Sequence, residues 1–441
     1  MTGRTTAQWQ ALDSSHYLHP FTDFKALAAE GARVIERAEG VYLHDSEGRK
    51  ILDGMAGLWC VNVGYGRREL AEAAYRQMQE LPYYNSFFKS AHPPAIELAA
   101  RLARLTPPQF SRVFFSGSGS EANDTIIRMV RRYWDLMGEP GRQVIISREN
   151  AYHGSTVGGA SLGGMSAMHS QGGLPIPGIE HIEQPYWYEN GIDLSPAEYG
   201  LRAASRLAEC IERIGPQRVA AFIGEPIQGA GGVIIPPETY WPEIQRICRH
   251  YGILLIADEV MTGFGRTGLT WGHQHDPVQP DILVSAKGLG GGYVPMSMVS
   301  ASNEVLDTIS DAGGSVMFFT YSGPDAMCAG ALAVLDIMER ENLVDRAGQM
   351  GERLQSSLHS ALDGHRRVTE IRGRGLMVGV ELAGVSSAAA VEACVKRGMW
   401  VYPAGSGPAV ADALLFAPPL TVSESDIDRI VEITLDALDA C

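Results

Sequence analysis

Short apolar segments alternate with longer amphipathic segments through the middle of this chain, and this alternation limits its possible folds more than any other feature. Glu238–Tyr251 carries apolar residues at helical spacing and is followed by Gly252, a residue typical of helix C-termini. Because the apolar runs around it have no polar face, we predict an α/β fold with a mostly parallel sheet covered by helices. The predicted strands are Arg112–Ser116, Gln143–Ser147, Val219–Ile223, Leu254–Ala257 and Ile282–Ser285.

The pattern changes near residue 325. A helical pattern runs from Ala329 to Met338, a second one ends near Leu362, and the segment Ile371–Leu382 is predicted as one strand. We therefore expect residues 61–325 to form a large domain, with residues 1–60 and residues 326–441 packing apart from it.

Charge and cysteine usage exclude several classes of partner. The 441 residues carry a formal net charge of −15 at pH 7, which argues against nucleic acid and anionic membranes. The six cysteines lack CxxC spacing, so neither a zinc site nor a disulfide framework is predicted. The first residues contain no apolar core of a signal peptide, and no run approaches the ~18 apolar residues of a membrane span. We expect a cytoplasmic enzyme with small-molecule substrates.

The segment FFSGSGSEANDT is a candidate phosphate site. It follows a predicted strand and leads into an amphipathic helix, and its small residues Ser118, Gly119 and Ser120 allow backbone N–H groups to approach an anion. It lacks the third glycine of GxGxxG and the lysine of a P-loop. An ordinary helix cap is the alternative interpretation.

Two carboxylates, Asp258 and Glu259, end an otherwise apolar strand, where a charge is costly unless a cation meets it. Lys287 ends the next predicted strand and is one of only five lysines in the chain. A lysine in an apolar setting has a lowered pKa and attacks carbonyls to form Schiff bases. A strand-end lysine that extends its amine to solvent is the alternative.

Ligands of parallel sheets bind at the carboxyl ends of the strands, so Asp258, Lys287 and the Ser116–Ser120 loop are predicted to converge on one crevice. A lysine, a carboxylate and a phosphate loop match the aldehyde, the ring nitrogen and the phosphate of pyridoxal 5'-phosphate. The cation that faces Asp258 is then a pyridinium.

Two competing motifs are weaker. Gly159–Gly163 matches the GxSxG elbow of serine hydrolases, which would make Ser161 a nucleophile, but no strand precedes it. His273, His275 and Asp276 could suggest a metal, but no further ligand motif accompanies them, and we predict structural histidines and no metal site.

The chain resembles the class III (ω-amino acid) aminotransferases of fold-type I, and it is most similar to their ω-amine:pyruvate branch. The resemblance implies a seven-stranded, mostly parallel sheet in a large domain that binds pyridoxal 5'-phosphate, and a smaller α+β domain built from both chain ends. The stretches that carry it are colinear over nearly the whole chain: DGMAGLWCVNVGYG, FFSGSGSEANDT, NAYHGST, GEPIQGAGGVIIPP, LLIADEVMTGFGRTG, AKGLGGGYVP, FFTYSGP and LLFAPPL.

The resemblance also implies roles for single residues. Lys287 would form the Schiff base with the cofactor and move the proton during catalysis, and Asp258 would hold the ring nitrogen. The resemblance further implies that Ser118, Gly119 and Ser120 bind the phosphate, and that Tyr152 stacks on the ring and also borders the substrate. Glu225 and Val260 would contact the ring faces. Thr320 would bind the phosphate of the neighbouring subunit in a homodimer, alone or as part of a tetramer.

Substrate choice follows from two departures from the family pattern. Members that bind carboxylates have an arginine at the position of Leu415 in one branch and of Tyr402 in another, and this chain has neither. Trp59 and Phe87 match residues that line the substrate pocket in the ω-amine branch. We therefore predict transfer of an amino group from a primary amine or ω-amino acid to a small keto acid, with pyruvate favoured.

Several alternatives stay open at this point. Arg372 or Arg374 could replace the missing arginines. Other class III activities, namely diamine, 4-aminobutyrate or ornithine-like aminotransferases and aminomutases, share the same motifs. A serine hydrolase using Ser161 is the alternative from a different class.

Overall fold

The computed structural model describes residues 3–191, 193–314, 317–404 and 412–441. The strands in these ranges are β1 (Ile35–Glu39), β2 (Tyr42–Asp45), β3 (Lys50–Asp53), β4 (Val113–Ser116), β5 (Val144–Arg148), β6 (Ile179–Ile182), β7 (Val219–Gly224), β8 (Leu254–Asp258), β9 (Ile282–Ser285), β10 (Ser297–Ala301), β11 (Val368–Arg374), β12 (Met377–Leu382), β13 (Met399–Trp400), β14 (Tyr402–Ala404) and β15 (Ala413–Phe416).

The helices in the same ranges are α1 (Thr6–His16), α2 (Phe24–Glu30), α3 (Ala56–Trp59), α4 (Arg68–Glu80), α5 (Pro93–Leu105), α6 (Gly119–Leu136), α7 (Val157–Leu162), α8 (Ser166–His169), α9 (Trp187–Asn190), α10 (Pro196–Ile214), α11 (Tyr240–Tyr251), α12 (Asn303–Asp311), α13 (Asp325–Arg340), α14 (Leu343–Leu362), α15 (Ser387–Lys396) and α16 (Glu424–Asp439). Short 3₁₀ turns lie at Pro216–Arg218, Gly272–His275 and Lys287–Leu289.

A seven-stranded sheet forms the centre of the molecule, with the strand order β4-β10-β9-β8-β7-β5-β6. Among the described strands of this sheet, β10 runs opposite to the other six, and the pairs β9–β8, β8–β7, β7–β5 and β5–β6 are parallel. All five strands predicted from apolar runs lie in this sheet as β4, β5, β7, β8 and β9. The prediction of a mostly parallel sheet is therefore confirmed.

Helices cover both faces of this sheet, which explains why its strands are apolar on both sides. On one face α6 buries Ile126 and Val130 against Ile256 and Val284. On the other face α10 and α11 pack against Phe222 of β7 and its neighbours. The predicted helix between β7 and β8 is α11, and Gly252 ends it in the left-handed conformation, at φ 62°.

Two smaller sheets bring distant parts of the chain together. In the first, of order β1-β2-β3-β13, Met399 of the C-terminal part pairs with Leu52 of the N-terminal part. The second has the order β11-β12-β15-β14. The domain boundaries at residues 60 and 325 stay a prediction.

The segment Ile371–Leu382 does not form the single strand that we predicted. It contains the end of β11 and all of β12, which pair antiparallel with Arg374 opposite Met377. The turn needs a positive φ, and Gly375 supplies it at 53°. Apolar periodicity does not distinguish one long strand from a tight hairpin, and the glycine was the available signal.

Candidate active site

A cavity of about 400 Å³ lies where β8 and β9 end and α6 begins. Its wall includes Ser118, Gly119, Asp258 and Lys287, so the predicted convergence of loop, carboxylate and lysine is present in the fold. The carboxyl ends of parallel strands are the usual location of ligand sites in such sheets.

Asp258 is buried at the end of β8 and held from three directions. Its Oδ2 accepts hydrogen bonds from His153 Nδ1 at 2.6 Å and Asn123 Nδ2 at 3.0 Å, and its Oδ1 accepts one from the Val260 N–H at 3.0 Å. The side chain is 2% exposed. Sequence reasoning missed His153 and Asn123 as partners of Asp258, although His153 lies in the NAYHGST stretch that carries the family resemblance.

Glu259 points away from the cavity and has a structural role. Its carboxylate accepts hydrogen bonds from the backbone N–H groups of Gly272 and His273, both at 2.8 Å, and from the ring of His273 at 2.7 Å. Thr262 donates a further bond at 2.5 Å. The two adjacent carboxylates therefore differ in function, and His273 has a structural role.

The candidate phosphate end of the cavity is the N-terminus of α6. Ser118 caps this 18-residue helix by accepting the Glu121 N–H at 3.2 Å. Gly119 lies so close to Val260 that a Cβ atom would be 3.1 Å from the valine side chain. Ser120 accepts the N–H of Ser155 at 3.0 Å. Capping and anion binding are compatible here because the helix start faces the cavity.

Tyr152 and Glu225 form a linked pair in the cavity wall. The backbone N–H of Tyr152 donates to Glu225 Oε1 at 3.1 Å, and the N–H of Gly229 donates to Oε2 at 2.9 Å. Burial raises the pKa of Glu225, while His153 acts in the opposite direction. This pair links the loop after β5 to the loop after β7.

Lys287 follows β9 with φ at 38°, an uncommon conformation for a residue with a side chain. Its Nζ lies 5.5 Å from the centroid of the Trp59 ring. Burial lowers the pKa of Lys287, and Cys60, Asp258 and Glu225 oppose this shift. A lysine whose amine loses its proton more easily is a better nucleophile.

These groups fit pyridoxal 5'-phosphate in charge and in shape. The helix start around Gly119 suits the phosphate, and the buried Asp258 carboxylate, held by His153 and the Val260 N–H, suits a protonated ring nitrogen. A Cβ at Gly119 would lie 3.1 Å from the Val260 side chain, so a larger residue there would crowd the valine that borders the cavity. Lys287 lines the same cavity as Gly119 and Asp258.

Phe87 and Thr320 lie apart from this cavity, on an exposed aromatic surface that also contains Phe318. The rings of Phe87 and Phe318 are 5.1 Å apart. Phe88 and Phe318 are 91% and 57% exposed, and the carbonyl of Thr320 accepts a hydrogen bond from Tyr83 at 2.7 Å. Phe87 thus does not line the cavity of its own chain.

An apolar corner contains Trp59 and the two positions of the missing arginines. Tyr402 and Leu415 are cross-strand partners in β14 and β15, and the Trp59 and Tyr402 rings lie 4.6 Å apart. Trp59 and Leu415 are buried in one cluster that also includes Val233. The segment 405–411, part of the family stretch after Tyr402, lies outside the described residues.

Arg372 does not replace the missing arginines. Its Nε and Nη2 donate to backbone carbonyls, and its Nη1 is bonded to Glu381 at 2.7 Å. Each nitrogen of the guanidinium is therefore already bonded within the protein. Arg374 lies near Asp276, whose pKa is raised by burial and lowered by this arginine.

The geometry also weighs against the competing motifs. Ser161 is fully buried inside α7, and its hydroxyl donates to the Val157 carbonyl at 2.6 Å, so it forms no exposed nucleophile elbow. No cluster of three or more His, Cys, Asp or Glu side chains suited to a metal occurs in the described ranges. None of the described helices is long and apolar enough to cross a membrane.

Comparison with known proteins agrees with this geometry. The family model for aminotransferase class III matches residues 26–438. The putrescine–pyruvate aminotransferase of Pseudomonas aeruginosa is 48% identical over 100% of this chain and 97% of that protein. An (S)-enantioselective omega-transaminase from Thermomicrobium roseum superposes with a TM-score of 0.95 at 44% identity, covering 99% of both chains. The omega-transaminase of Pseudomonas jessenii in complex with PMP gives a TM-score of 0.94 at 40% identity, covering 98% of this chain and 97% of that one.

Proposed function

The chain belongs to the class III aminotransferases, and on this premise we propose that it moves the amino group of a primary amine to a small keto acid, with pyruvate as the favoured acceptor. The enzyme depends on pyridoxal 5'-phosphate, which when bound supplies an electron sink for negative charge on the substrate carbon. The observation that carries the proposal is the convergence of Lys287, Asp258 and the start of α6 on one cavity.

The residues of the site have separate roles. Lys287 anchors the cofactor and carries the proton between donor and acceptor atoms, a role that its lowered pKa supports. Asp258 keeps the ring nitrogen protonated, and His153 and Asn123 hold its carboxylate in place. Tyr152 and Val260, which line the same cavity, would hold the ring.

The phosphate is bound through the backbone and hydroxyl groups of Ser118, Gly119 and Ser120. This assignment is supported by the position of these residues at the start of a long helix, whose dipole stabilises an anion. The chain needs no basic side chain for this purpose, which agrees with its acidic composition.

The apolar corner favours an amine without a carboxylate. Tyr402 and Leu415 replace the two arginines that carboxylate-binding relatives use, and segment 405–411 contains no basic residue. Burial, with Tyr152 nearby, raises the pKa of Tyr402, so its phenol stays neutral. A neutral hydroxyl binds a carboxylate less strongly than an arginine does.

A homodimer completes the site in this proposal. The exposed surface around Phe318 and Phe88 is apolar, as expected for a contact between copies of the chain. It carries both Thr320 and Phe87, so the partner's Thr320 would reach the phosphate and the partner's Phe87 the substrate pocket.

The cytoplasmic location stays a prediction, and all six cysteines are free thiols.

The half-reaction with single amines tests this function. We expect an arylalkylamine to abolish the long-wavelength absorbance of the bound cofactor quickly, and pyruvate to restore it better than 2-oxoglutarate. Putrescine belongs in the series as a second candidate donor because the Pseudomonas aeruginosa relative is named for it. Fast discharge by 4-aminobutyrate or ornithine with no response to the other amines would contradict the substrate assignment.

A further inference from the structure

A buried acid–base pair lies outside the active-site cavity. His92 Nδ1 is 3.2 Å from Asp325 Oδ1, and both side chains are buried. In the described ranges, no hydrogen bond of standard geometry reaches either ring nitrogen of His92 or the Oδ1 of Asp325. Burying such groups costs free energy that two apolar side chains would not cost. The pair is therefore better explained by the position that it gives to the chain than by stability.

Asp325 holds both ends of one loop. It is the first residue of α13, and the loop, residues 84–92, leads into α5. Its Oδ2 accepts the backbone N–H of Tyr84 at 3.3 Å, where the loop begins. Its Oδ1 faces His92, where the loop ends. A single carboxylate thus fixes both ends of the segment that carries Phe87.

The residue before this loop is bonded to the turn that carries Thr320. The hydroxyl of Tyr83 donates to the carbonyl of Thr320 at 2.7 Å, and the Tyr83 ring lies 5.4 Å from that of Tyr321. Tyr83 directly precedes Tyr84, whose N–H donates to Asp325. The buried carboxylate therefore controls, through two consecutive tyrosines, where Thr320 lies.

We propose that Asp325 and His92 are positioning residues for the cofactor phosphate of the partner subunit: they hold the loop 84–92 in the place that sets the Thr320 hydroxyl at that phosphate. The inference rests on the proposed homodimer. It agrees with the exposure of Thr320, which lies outside the cavity wall of its own chain. Asp325 and His92 are also absent from that wall, so their effect on the cofactor passes through Thr320.

The test compares pyridoxal 5'-phosphate with pyridoxal, which has the same ring and aldehyde but no phosphate. The full-length enzyme, freed of cofactor, is titrated with each compound, and the absorbance of the bound ring gives two Kd values. Asp325→Leu should raise the Kd for pyridoxal 5'-phosphate about tenfold, the scale of one hydrogen bond to a charged group, and leave the Kd for pyridoxal unchanged. His92→Leu should change the ratio of the two values in the same direction.

Asp336→Leu, at an exposed carboxylate on the same helix, is the matched control and should change neither Kd. A general structural role of the buried pair would weaken the binding of both compounds by the same factor. That result would overturn the proposal, as would an unchanged ratio of the Kd values in either Asp325→Leu or His92→Leu.

A double-mutant cycle with Thr320→Val shows whether Asp325 acts through Thr320. Valine keeps the shape of threonine but has no hydroxyl to offer to a phosphate. In the Thr320→Val background, Asp325→Leu should no longer change the ratio of the Kd values, because the group that it positions is gone. Additive effects would contradict the proposal. If Asp325→Leu does not fold, Tyr83→Phe, which removes the bond to the Thr320 carbonyl, takes its place with the same expected direction.

These outcomes differ from failure of the proposed function. If Thr320→Val alone leaves the Kd for pyridoxal 5'-phosphate unchanged, the assignment of Thr320 to the phosphate is wrong, and the positioning role falls with it. If Thr320→Val raises that Kd but Asp325→Leu does not, only the positioning role is wrong.

Discussion

Tyr402 and Leu415 face each other across the β14–β15 pair, in the corner where the Trp59 ring lies 4.6 Å from that of Tyr402. Two positions that carry arginine in different branches of the family therefore meet at one place in the fold. In the branches that carry these arginines, one strand or the other would offer a cation to a carboxylate, and in this chain neither Tyr402 nor Leu415 provides one.

This relationship predicts a gain of function. Tyr402→Arg should raise kcat/KM for 4-aminobutyrate about tenfold or more and lower it for an arylalkylamine, because a charge-assisted bond replaces a neutral one. Steady-state kinetics with both donors provide the measurement. Leu415→Arg should shift preference in the same direction, and Tyr402→Leu, which adds no charge, should not. Equal effects of arginine and leucine at position 402 would contradict the account.

Asp258 and Glu259 are adjacent, yet their substitutions should differ in their effect on the rate. Asp258→Asn should lower kcat about a thousandfold, or ~4 kcal/mol of barrier, because a neutral ring is a poor electron sink. Its melting temperature should also fall, because an Asn amide cannot accept all the hydrogen bonds that the buried Asp258 carboxylate accepts. Single-turnover kinetics and thermal unfolding of the same preparation check both statements. Near-normal turnover in Asp258→Asn would exclude the proposed role.

Glu259→Gln is the counterpart of that experiment. It leaves the cavity unchanged but weakens the bonds from Gly272 and His273 to a buried carboxylate. We expect a loss of about 1–3 kcal/mol in the free energy of unfolding, with a nearly unchanged rate per folded enzyme. A large loss of rate without loss of stability would show that the two carboxylates have been assigned the wrong way round.

The lowered pKa of Lys287 predicts how apoenzyme captures its cofactor. Burial disfavours the ammonium form, so the reactive free amine is populated at a lower pH than for an ordinary lysine, whose pKa is 10.5. The capture rate should rise with pH and level off below that value. Stopped-flow absorbance over a pH series measures it, with Lys287→Arg as the unreactive control. A rate that rises until pH 10.5 would contradict the shift.

The placement of Thr320 can be tested in hybrid dimers. One chain carries Lys287→Ala and the other carries Thr320→Asp, whose added charge repels phosphate. If Thr320 serves the partner's site, the hybrid contains one intact site and should recover about half of the normal activity, whereas each parent dimer is inactive. An inactive hybrid that contains both chains would place Thr320 in its own subunit's site.

The sequence predicted the central fold because its strands are apolar on both faces, a pattern that few architectures share. It also located Asp258 and Lys287, since each ends such a strand. It did not predict the His153 contact to Asp258, which joins residues 105 positions apart. Local patterns hold no information about such pairs.

Two other features were missed for physical reasons. Arg372 was considered as a replacement for the missing arginines, yet the fold buries it and satisfies its donors internally. Phe87 was expected in the pocket, but within one chain it packs against Phe318 on the surface. Its predicted place in the substrate pocket depends on a second subunit, and residue patterns within one chain do not show how two subunits pack.

The most direct test of the central claim is to reduce the holoenzyme with borohydride and map the residue that retains the cofactor. Reduction should fix one pyridoxyl group per chain, on the peptide that contains Lys287, and Lys287→Arg should retain none. Attachment at any of the other four lysines, or a protein that takes up no pyridoxal 5'-phosphate, would contradict the account.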